Sequence, residues 1–207
     1  MKIMTEPIIL VGGGGHCMAC IDVIEQQKVF HIAGIVDTKD KAGELVLGYP
    51  IICGDEKLSE LAQTHDNFLI TIGQIKRVEK RISLFITLKK LNVNLPVVMS
   101  PHAYVSKHAI IKKGTIIMHH ALITAGAIIG RNCIVNSNAL VEHGAAVEDH
   151  CHISTGAIIN GEAHIKEGCF IGSGAIIREG ITVGEKSVIS AGVCVMHDVE
   201  AKTILKQ

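Results

Sequence analysis

The sequence predicts a small α/β domain followed by a parallel β-helix. Three observations predict it. The chain opens with an apolar run, a glycine loop and a second apolar run, the pattern of a β-loop-α-β unit. From Val105 to Val195 every sixth residue is Val or Ile, without a break. Two residues ahead of each stands a mostly small residue, among them Ala103, Ala109, Thr115, Ala121 and Cys133.

Ile8 to Val11 is short and fully apolar, as a buried parallel strand is. Gly12-Gly13-Gly14-Gly15-His16 follows, then a predicted helix to about Lys28, and a strand from His31 to Asp37. Glycines let the backbone approach a ligand, and a helix N-terminus offers free N–H groups to an anion. The loop is a poor dinucleotide fingerprint, because Cys17 stands where Gly or Ala is expected. Next come a short strand at Ile51-Ile52, a helix from Asp55 to Gln63, and a strand from Phe68 to Ile72. A long helix is predicted from Ile75 to Leu91, with Ile75, Val78, Ile82, Phe85 and Leu88 at helical spacing. Its charges, Lys76, Arg77, Glu79, Lys80 and Arg81, read as a solvated face. Ser100-Pro101 marks the passage out of this domain. The expected division is a Rossmann-like α/β domain at residues 1–97 and a repeat domain at 98–207.

The six-residue period is neither that of a helix nor that of a simple strand. It is the hexapeptide repeat of a β-helix, in which each hexad makes a short strand and a corner. Three hexads complete one triangular coil of about 18 residues. The β-branched residue points inward and the small one fits where the coil narrows. Each buried Val or Ile contributes about 1.5–3 kcal/mol, enough to hold a solenoid with few aromatics.

Composition excludes several classes. Twenty basic and twenty acidic residues leave no net charge, and no basic patch suggests nucleic acid or a membrane surface. No stretch reads as a signal peptide or a membrane span. Seven cysteines, an odd number without small-scaffold spacing, point to a reducing cytoplasm. Cys133, Cys151 and Cys169 are 18 apart and should stack as a column of small apolar residues. Cys17-x-x-Cys20 has no second such pair to complete a zinc site, and packing is the preferred reading.

Most of the twelve histidines fall at outward hexad positions, and His108, His119 and His120 read as solvated. His143 differs. It stands where the coil turns, two residues after an inward Val, and an imidazole there could act as a general base. Gly161, one coil further, would leave room for a substrate group and offer a backbone N–H to an oxyanion. From spacing alone, His143 can equally be a surface residue.

The chain resembles the hexapeptide-repeat acyltransferases that modify bacterial surface sugars. The nearest branches are the nucleotide-activated amino-sugar N-acetyltransferases and the sialic acid O-acetyltransferases. The matching residues are Val11 to His16, Ile35-Val36-Asp37, Thr71-Ile72-Gly73, Ser100-Pro101-x-Ala103, Val135-Asn136-x-x-Ala139-Leu140-Val141-Glu142-His143, and His152-Ile153-Ser154. The resemblance spans nearly the whole chain. It implies a left-handed solenoid, against the usual crossover hand. It also implies a homotrimer with active sites between neighbours, and acetyl-CoA lying in a groove between two coils, with no metal.

By the same resemblance His143 is the base; Glu142, which precedes it, or a backbone carbonyl would orient its ring. His152 would touch the thioester region, and Gly161 would offer its N–H. Ser173, Ala191 and Gly192 would line the CoA groove. Gly14, Gly15, His16, Asp37, Thr38, Gly73 and Asn136 would hold the sugar or its nucleotide. Two departures stand out. A carboxylate commonly follows the catalytic His in the N-acetyltransferases, and here that position is Gly144. The Gly-x-Pro-Ala ending is also absent. The leading expectation is N-acetylation of a UDP-linked 4-amino sugar. O-acetylation of a sialic acid, or a non-catalytic sugar-nucleotide-binding solenoid, are the alternatives.

Overall fold

The structure is a computed structural model that describes residues 5–75 and 77–206. Met1 to Met4, Lys76 of the expected charged face, and Gln207 lie outside the described residues.

The first domain is a five-stranded sheet. Its strands are β1 (Glu6–Val11), β2 (Phe30–Asp37), β3 (Leu45–Val46), β4 (Tyr49–Gly54) and β5 (Asn67–Ile70), in the order β3-β4-β2-β1-β5. All pairs are parallel except β3 with β4. β1 is central, and Ile8 to Val11 are completely buried, which is why that run lacks alternation. Helix α1 (Gly15–Gln27) packs Cys17, Cys20, Ile21, Val23 and Ile24 onto one face of the sheet. Both thiols are inert fillers: burial pushes Cys17 up to about 11 and Cys20 higher still.

Three expected elements are shorter than the sequence suggests. The helix at Asp55–Gln63 is a 3₁₀ turn, Asp55–Lys57, and one α-helical turn, α2 (Leu58–Leu61). β5 ends at Ile70 rather than Ile72; Thr71 makes the last bond to β1, N–H to Val11 O at 2.9 Å, and its hydroxyl donates to Gly12 O at 2.6 Å. The helix expected from Ile75 is α3 (Glu79–Lys90). Ile75 is exposed, but Val78, Phe85 and Leu88 are buried as expected, and α3 also buries Arg81 and Leu84. Arg81 is thus not on a solvated face. It is 1 % exposed, because four backbone and side-chain oxygens from both domains close around it.

The second domain is a left-handed β-helix with three stacked parallel faces. The first face begins at Val98–Met99 and ends at Ile204–Leu205. The second runs from Tyr104–Val105 to Cys194–Val195, and the third from Ile110–Ile111 to Thr182–Val183. Each strand pairs with the one 18 residues on: Ile134 with His152, Leu140 with Ile158, Ala146 with His164. From Ile117 to Val195 every sixth residue is buried in one continuous core. Val105 and Ile111 are only partly buried, since few coils lie beneath them. Ile204–Leu205 escapes the six-residue pattern, because the chain leaves it after Val195 and returns to pair with Val188–Ile189.

The cysteine column packs as expected and also does something spacing did not reveal. Cys133, Cys151 and Cys169 each point the thiol at a carbonyl 15 residues on: Glu148, Lys166 and Gly184, at 3.0–3.1 Å. Thr115 and Ser187 end the column with hydroxyl bonds to Gly130 O and Glu200 O. Five short donors therefore satisfy corner carbonyls that the inner strands leave unpaired.

The domains are joined along the first face. Its outward residues Ile116 and Ile134 are fully buried with α1 in one core. His119, expected to be solvated, ties the junction: its ring bonds Ser100 Oγ at 2.6 Å and Asp22 of α1 at 2.9 Å.

Candidate active site

His143 follows the strand Leu140–Val141 and opens the corner between the second and third faces. The next residue, Gly144, has φ +66°. Other corners carry a left-handed residue at the same step, as Asn132, Asn138 and His150 do. Gly144 thus answers a backbone demand. The carboxylate comes from the other side. Glu142 Oε2 accepts from His143 N at 3.2 Å and from the ring Nδ1 at 3.3 Å. Thr124 Oγ1, 18 residues earlier, donates to the same oxygen at 3.3 Å. Assigning the proton to Nδ1 leaves Nε2 with its lone pair free. The bonds from the His143 N–H and ring hold the Glu142 carboxyl below its usual range.

The ring lies over Gly161. A Cβ at 161 would stand 2.8 Å from both His143 Cε1 and Nε2. The Gly161 N–H has no protein acceptor among the described residues. Together with Asn160, Glu162, Glu179 and Gly180, these residues line an open groove of about 570 Å³.

A second cluster lies where the domains meet. His152, on the first face, is 7 % exposed. Its Nδ1 donates to Gln74 O at 2.6 Å, and its Nε2 faces Asn136 Nδ2 at 3.3 Å. Asn136 Oδ1 is already taken by the Ser137 N–H at 2.8 Å, so its amide must donate to His152. Burial lowers the His152 pKa to about 4, against the Gln74 bond and with help from Arg81. The ring of His16, in the first turn of α1, is 6.3 Å away. Burial, then the charge of Arg81 and His152, bring His16 to about 3. Both imidazoles are neutral at pH 7. Gly73 packs against His16, where a Cβ would touch its Cβ at 3.5 Å.

Gly14 and Gly15 are exposed at the start of α1, with nothing within 4 Å of where a side chain would go. Gly14 caps the helix without a side-chain bond, so N–H groups there remain open to an anion. Asp37 is otherwise engaged. Its two oxygens accept from Gly13 N and Thr38 N, both at 2.7 Å, and Lys41 stands at 3.4 Å. Burial opposes its charge, yet these partners hold its pKa below the usual value. Asp37 closes the glycine loop. Thr38 caps the following 3₁₀ turn without a side-chain bond.

Within one chain the expected residues form two half-sites rather than one. Glu142, His143 and Gly161 share a corner. Ser173, Ala191 and Gly192 lie on the corner between the first and second faces, as does Asn136. The reason is arithmetic: 143 to 161 is one coil, but 161 to 173 is two hexads, which lands on another edge. His152, nine residues after His143, lies mid-face and not beside it. Ser173 bonds Ser154, Oγ to Oγ at 3.0 Å. Sequence reasoning missed Thr124, Gln74 and Arg81. The coil register would have found Thr124, one rung below Glu142. Nothing in the pattern marks the other two.

Among the described residues no group of three or more His, Cys, Asp or Glu is placed to hold a metal. No helix there is long and apolar enough to cross a membrane.

Comparison with known proteins agrees with this architecture. Residues 7–83 match the PglD N-terminal domain, and residues 123–160 and 164–196 match the hexapeptide repeat of succinyl-transferase. No curated protein sequence matches the chain. Perosamine N-acetyltransferase from Caulobacter crescentus, solved with CoA and GDP-perosamine, is 26% identical with a TM-score of 0.88, over 97% of this chain and 92% of that one. The acetyltransferase domain of PglB from Neisseria gonorrhoeae, solved with acetyl coenzyme A, is 28% identical with a TM-score of 0.86, over 96% and 95%. WeeI from Acinetobacter baumannii shares the fold at 22% identity and a TM-score of 0.83, over 95% and 94%.

The hexapeptide repeats of the coil and the match to acetyltransferases solved with CoA define a hexapeptide-repeat acetyltransferase. More narrowly, a PglD-type domain set before a hexapeptide coil is the arrangement this chain shares in fold with the sugar acetyltransferases it resembles.

Proposed function

We propose that the protein transfers an acetyl group from acetyl-CoA to the amine of a nucleotide-linked amino sugar, with His143 as general base. The observation that carries this reading is the Glu142–His143 pair poised over Gly161 in an open groove. A neutral amine attacks the thioester carbonyl. As the C–N bond forms, His143 Nε2 takes the ammonium proton, and Glu142 steadies the charged ring. The Gly161 N–H faces the oxyanion of the tetrahedral intermediate. Collapse breaks the C–S bond, and the departing thiolate receives the proton from His143. Positioning and general-base catalysis suffice for this chemistry.

Two features support a homotrimer with sites between neighbours. The half-sites lie on different edges of one prism, so a neighbouring coil could complete each. The outward column of the second face is apolar, with Tyr104, Leu122, Leu140, Ile158, Ile176 and Cys194. Tyr104 is 60% exposed and Leu122 39% in the single chain. On this reading Ser173, Ala191 and Gly192 of one protomer line the CoA groove opposite its neighbour's His143. Gly14, Gly15 and His16 would take the nucleotide phosphates or sugar. Seven free thiols fit residence in a reducing cytoplasm.

The relatives solved with GDP-perosamine and with acetyl coenzyme A support a nucleotide-sugar acceptor and this donor. The nucleotide expected here is uridine, and the test covers both. The protein is mixed with acetyl-CoA and UDP- or GDP-linked 4-amino sugars, and thiol release is followed. Turnover on an amino sugar but not on its hydroxyl analogue is expected. Turnover only on hydroxyl acceptors would replace the reading with O-acetylation, and none on any acceptor would remove it.

A further inference from the structure

We propose that Arg81 is a positioning residue for acetyl transfer, holding the Gly73–Gln74 turn against the coil so that the Gln74 carbonyl fixes the His152 ring. The inference rests on the reading that His152 serves the acetyl-transfer site. Arg81 lies in the first turn of α3 and is buried between the domains. Its Nη1 donates to Ile70 O at 3.1 Å and Ile72 O at 2.5 Å, where the strand ladder has ended. Its Nη2 donates to Asn132 O at 3.1 Å and Asn132 Oδ1 at 2.7 Å. Asn132 replies through Nδ2, which contacts Arg81 O at 3.3 Å and His150 Nδ1 at 2.9 Å. One guanidinium therefore ties the end of β5 to a coil corner.

The tie reaches the candidate site in two steps of chain. Ile72 leads through Gly73, which packs on His16, to Gln74. The Gln74 carbonyl accepts from His152 Nδ1 at 2.6 Å, and its side-chain amide donates to Gly168 O and Cys169 O at 3.3 Å. Any slack at Ile72 passes to the Gln74 bond, the shorter of the two that set the His152 tautomer. The charge acts too. All four acceptors of Arg81 are neutral, and no carboxylate pairs with it among the described residues. An unbalanced buried cation disfavours protonation of nearby bases. The groups facing His152 are Arg81, His16 and the neutral amides of Gln74 and Asn136; those facing His16 are Arg81 and His152. Burial and Arg81 act together to keep both imidazoles neutral. A fork with four fixed bonds is a task for arginine, which a lysine cannot reproduce.

The test uses Arg81→Lys and Asn132→Gly in the full-length protein. Asn132 has φ +54°, so glycine keeps the corner while removing the side chain. Histidine-selective ¹⁵N spectra report the His152 tautomer without turnover, and steady-state kinetics report kcat and KM. The wild type should show one neutral Nδ1–H form at pH 7. In Arg81→Lys the His152 signal should become a tautomer mixture and kcat should fall at least about tenfold, within the range a misplacement of about 1 Å produces. KM for acetyl-CoA should stay within about threefold, and the tautomer mixture in the folded protein is the readout that mere instability would not give. Asn132→Gly should shift both readouts the same way by less, and it decides alone if Arg81→Lys does not fold. An unchanged His152 spectrum, or kcat within twofold of wild type in folded Arg81→Lys, overturns the proposal. Failure of the function itself reads differently: no thiol release by the wild type on any acceptor, with the His152 spectra of wild type and variants still as expected.

Discussion

His143 rests over Gly161, the residue one coil above it, with 2.8 Å between its Nε2 and the place a Cβ would occupy. No other residue type leaves the ring in that position. Gly161→Ala is therefore expected to turn the imidazole away from the groove and lower kcat/KM by about ten- to a hundredfold. Gly161 lacks a left-handed φ, so the melting temperature should change by only a few degrees. Thiol-release kinetics beside a thermal melt check this. A variant with wild-type kcat/KM would mean that ring placement over residue 161 is irrelevant.

His143→Ala should lower kcat by at least about a hundredfold, the smaller end of general-base contributions. The side chain is 72% exposed and bonds only Glu142, so folding should be untouched. Glu142→Gln should cost less, since it removes the charge but keeps a hydrogen-bonding oxygen near Nδ1. Comparable rates for His143→Ala and wild type would refute the assignment.

The inward column gives a stability prediction. Ile153 is fully buried, midway up the coil, between Val135 and Ile171. Ile153→Asp buries an unpaired charge at a cost of several kcal/mol. That is comparable to the whole stability of a domain. Loss of the cooperative melt, or insoluble expression, is expected. An unchanged melting temperature would contradict the inward placement.

Much of this architecture was legible in the sequence because a six-residue period has one physical solution. Val135, Val141 and Val147 fall inward on three different faces, as a three-sided coil of hexads requires. The same regularity put His143 at a corner and Gly161 above it. It failed where the period could not speak. Arg81 sits among Arg77, Glu79 and Lys80, and its neighbours are indeed at the surface. Only tertiary packing shows that its partners come from Ile70, Ile72 and Asn132, far apart in the chain. The coil puts Ser173 and Ala191 on a different edge of the prism from His143, which the matching residues alone did not display. Gly144 looked like a loss of chemistry; its φ of +66° is the left-handed step of the corner, which suits glycine and which Asn138, His150 and Glu162 also adopt.

The buried imidazoles fix how stability depends on pH. Burial lowers the pKa of His152 to about 4 and of His16 to about 3 in the folded chain, against about 6.5 for a free imidazole. Between these values and 6.5 the unfolded chain binds more protons than the folded one. Stability contributed by keeping the rings neutral is thus fully present above pH 6.5 and drains away as pH falls towards 4 and then 3. Each pH unit across that window removes about 1.4 kcal/mol per group at most. The carboxylates held low by their partners, such as Asp37 and Asp149, add losses in the same direction in more acid solution. Denaturant melts at pH 7.5, 6 and 5 should show a steep decline for wild type. His152→Gln, which cannot take the proton, should be less stable at pH 7.5 but decline less steeply. Parallel pH profiles for the two proteins would mean that His152 is not held neutral by its surroundings.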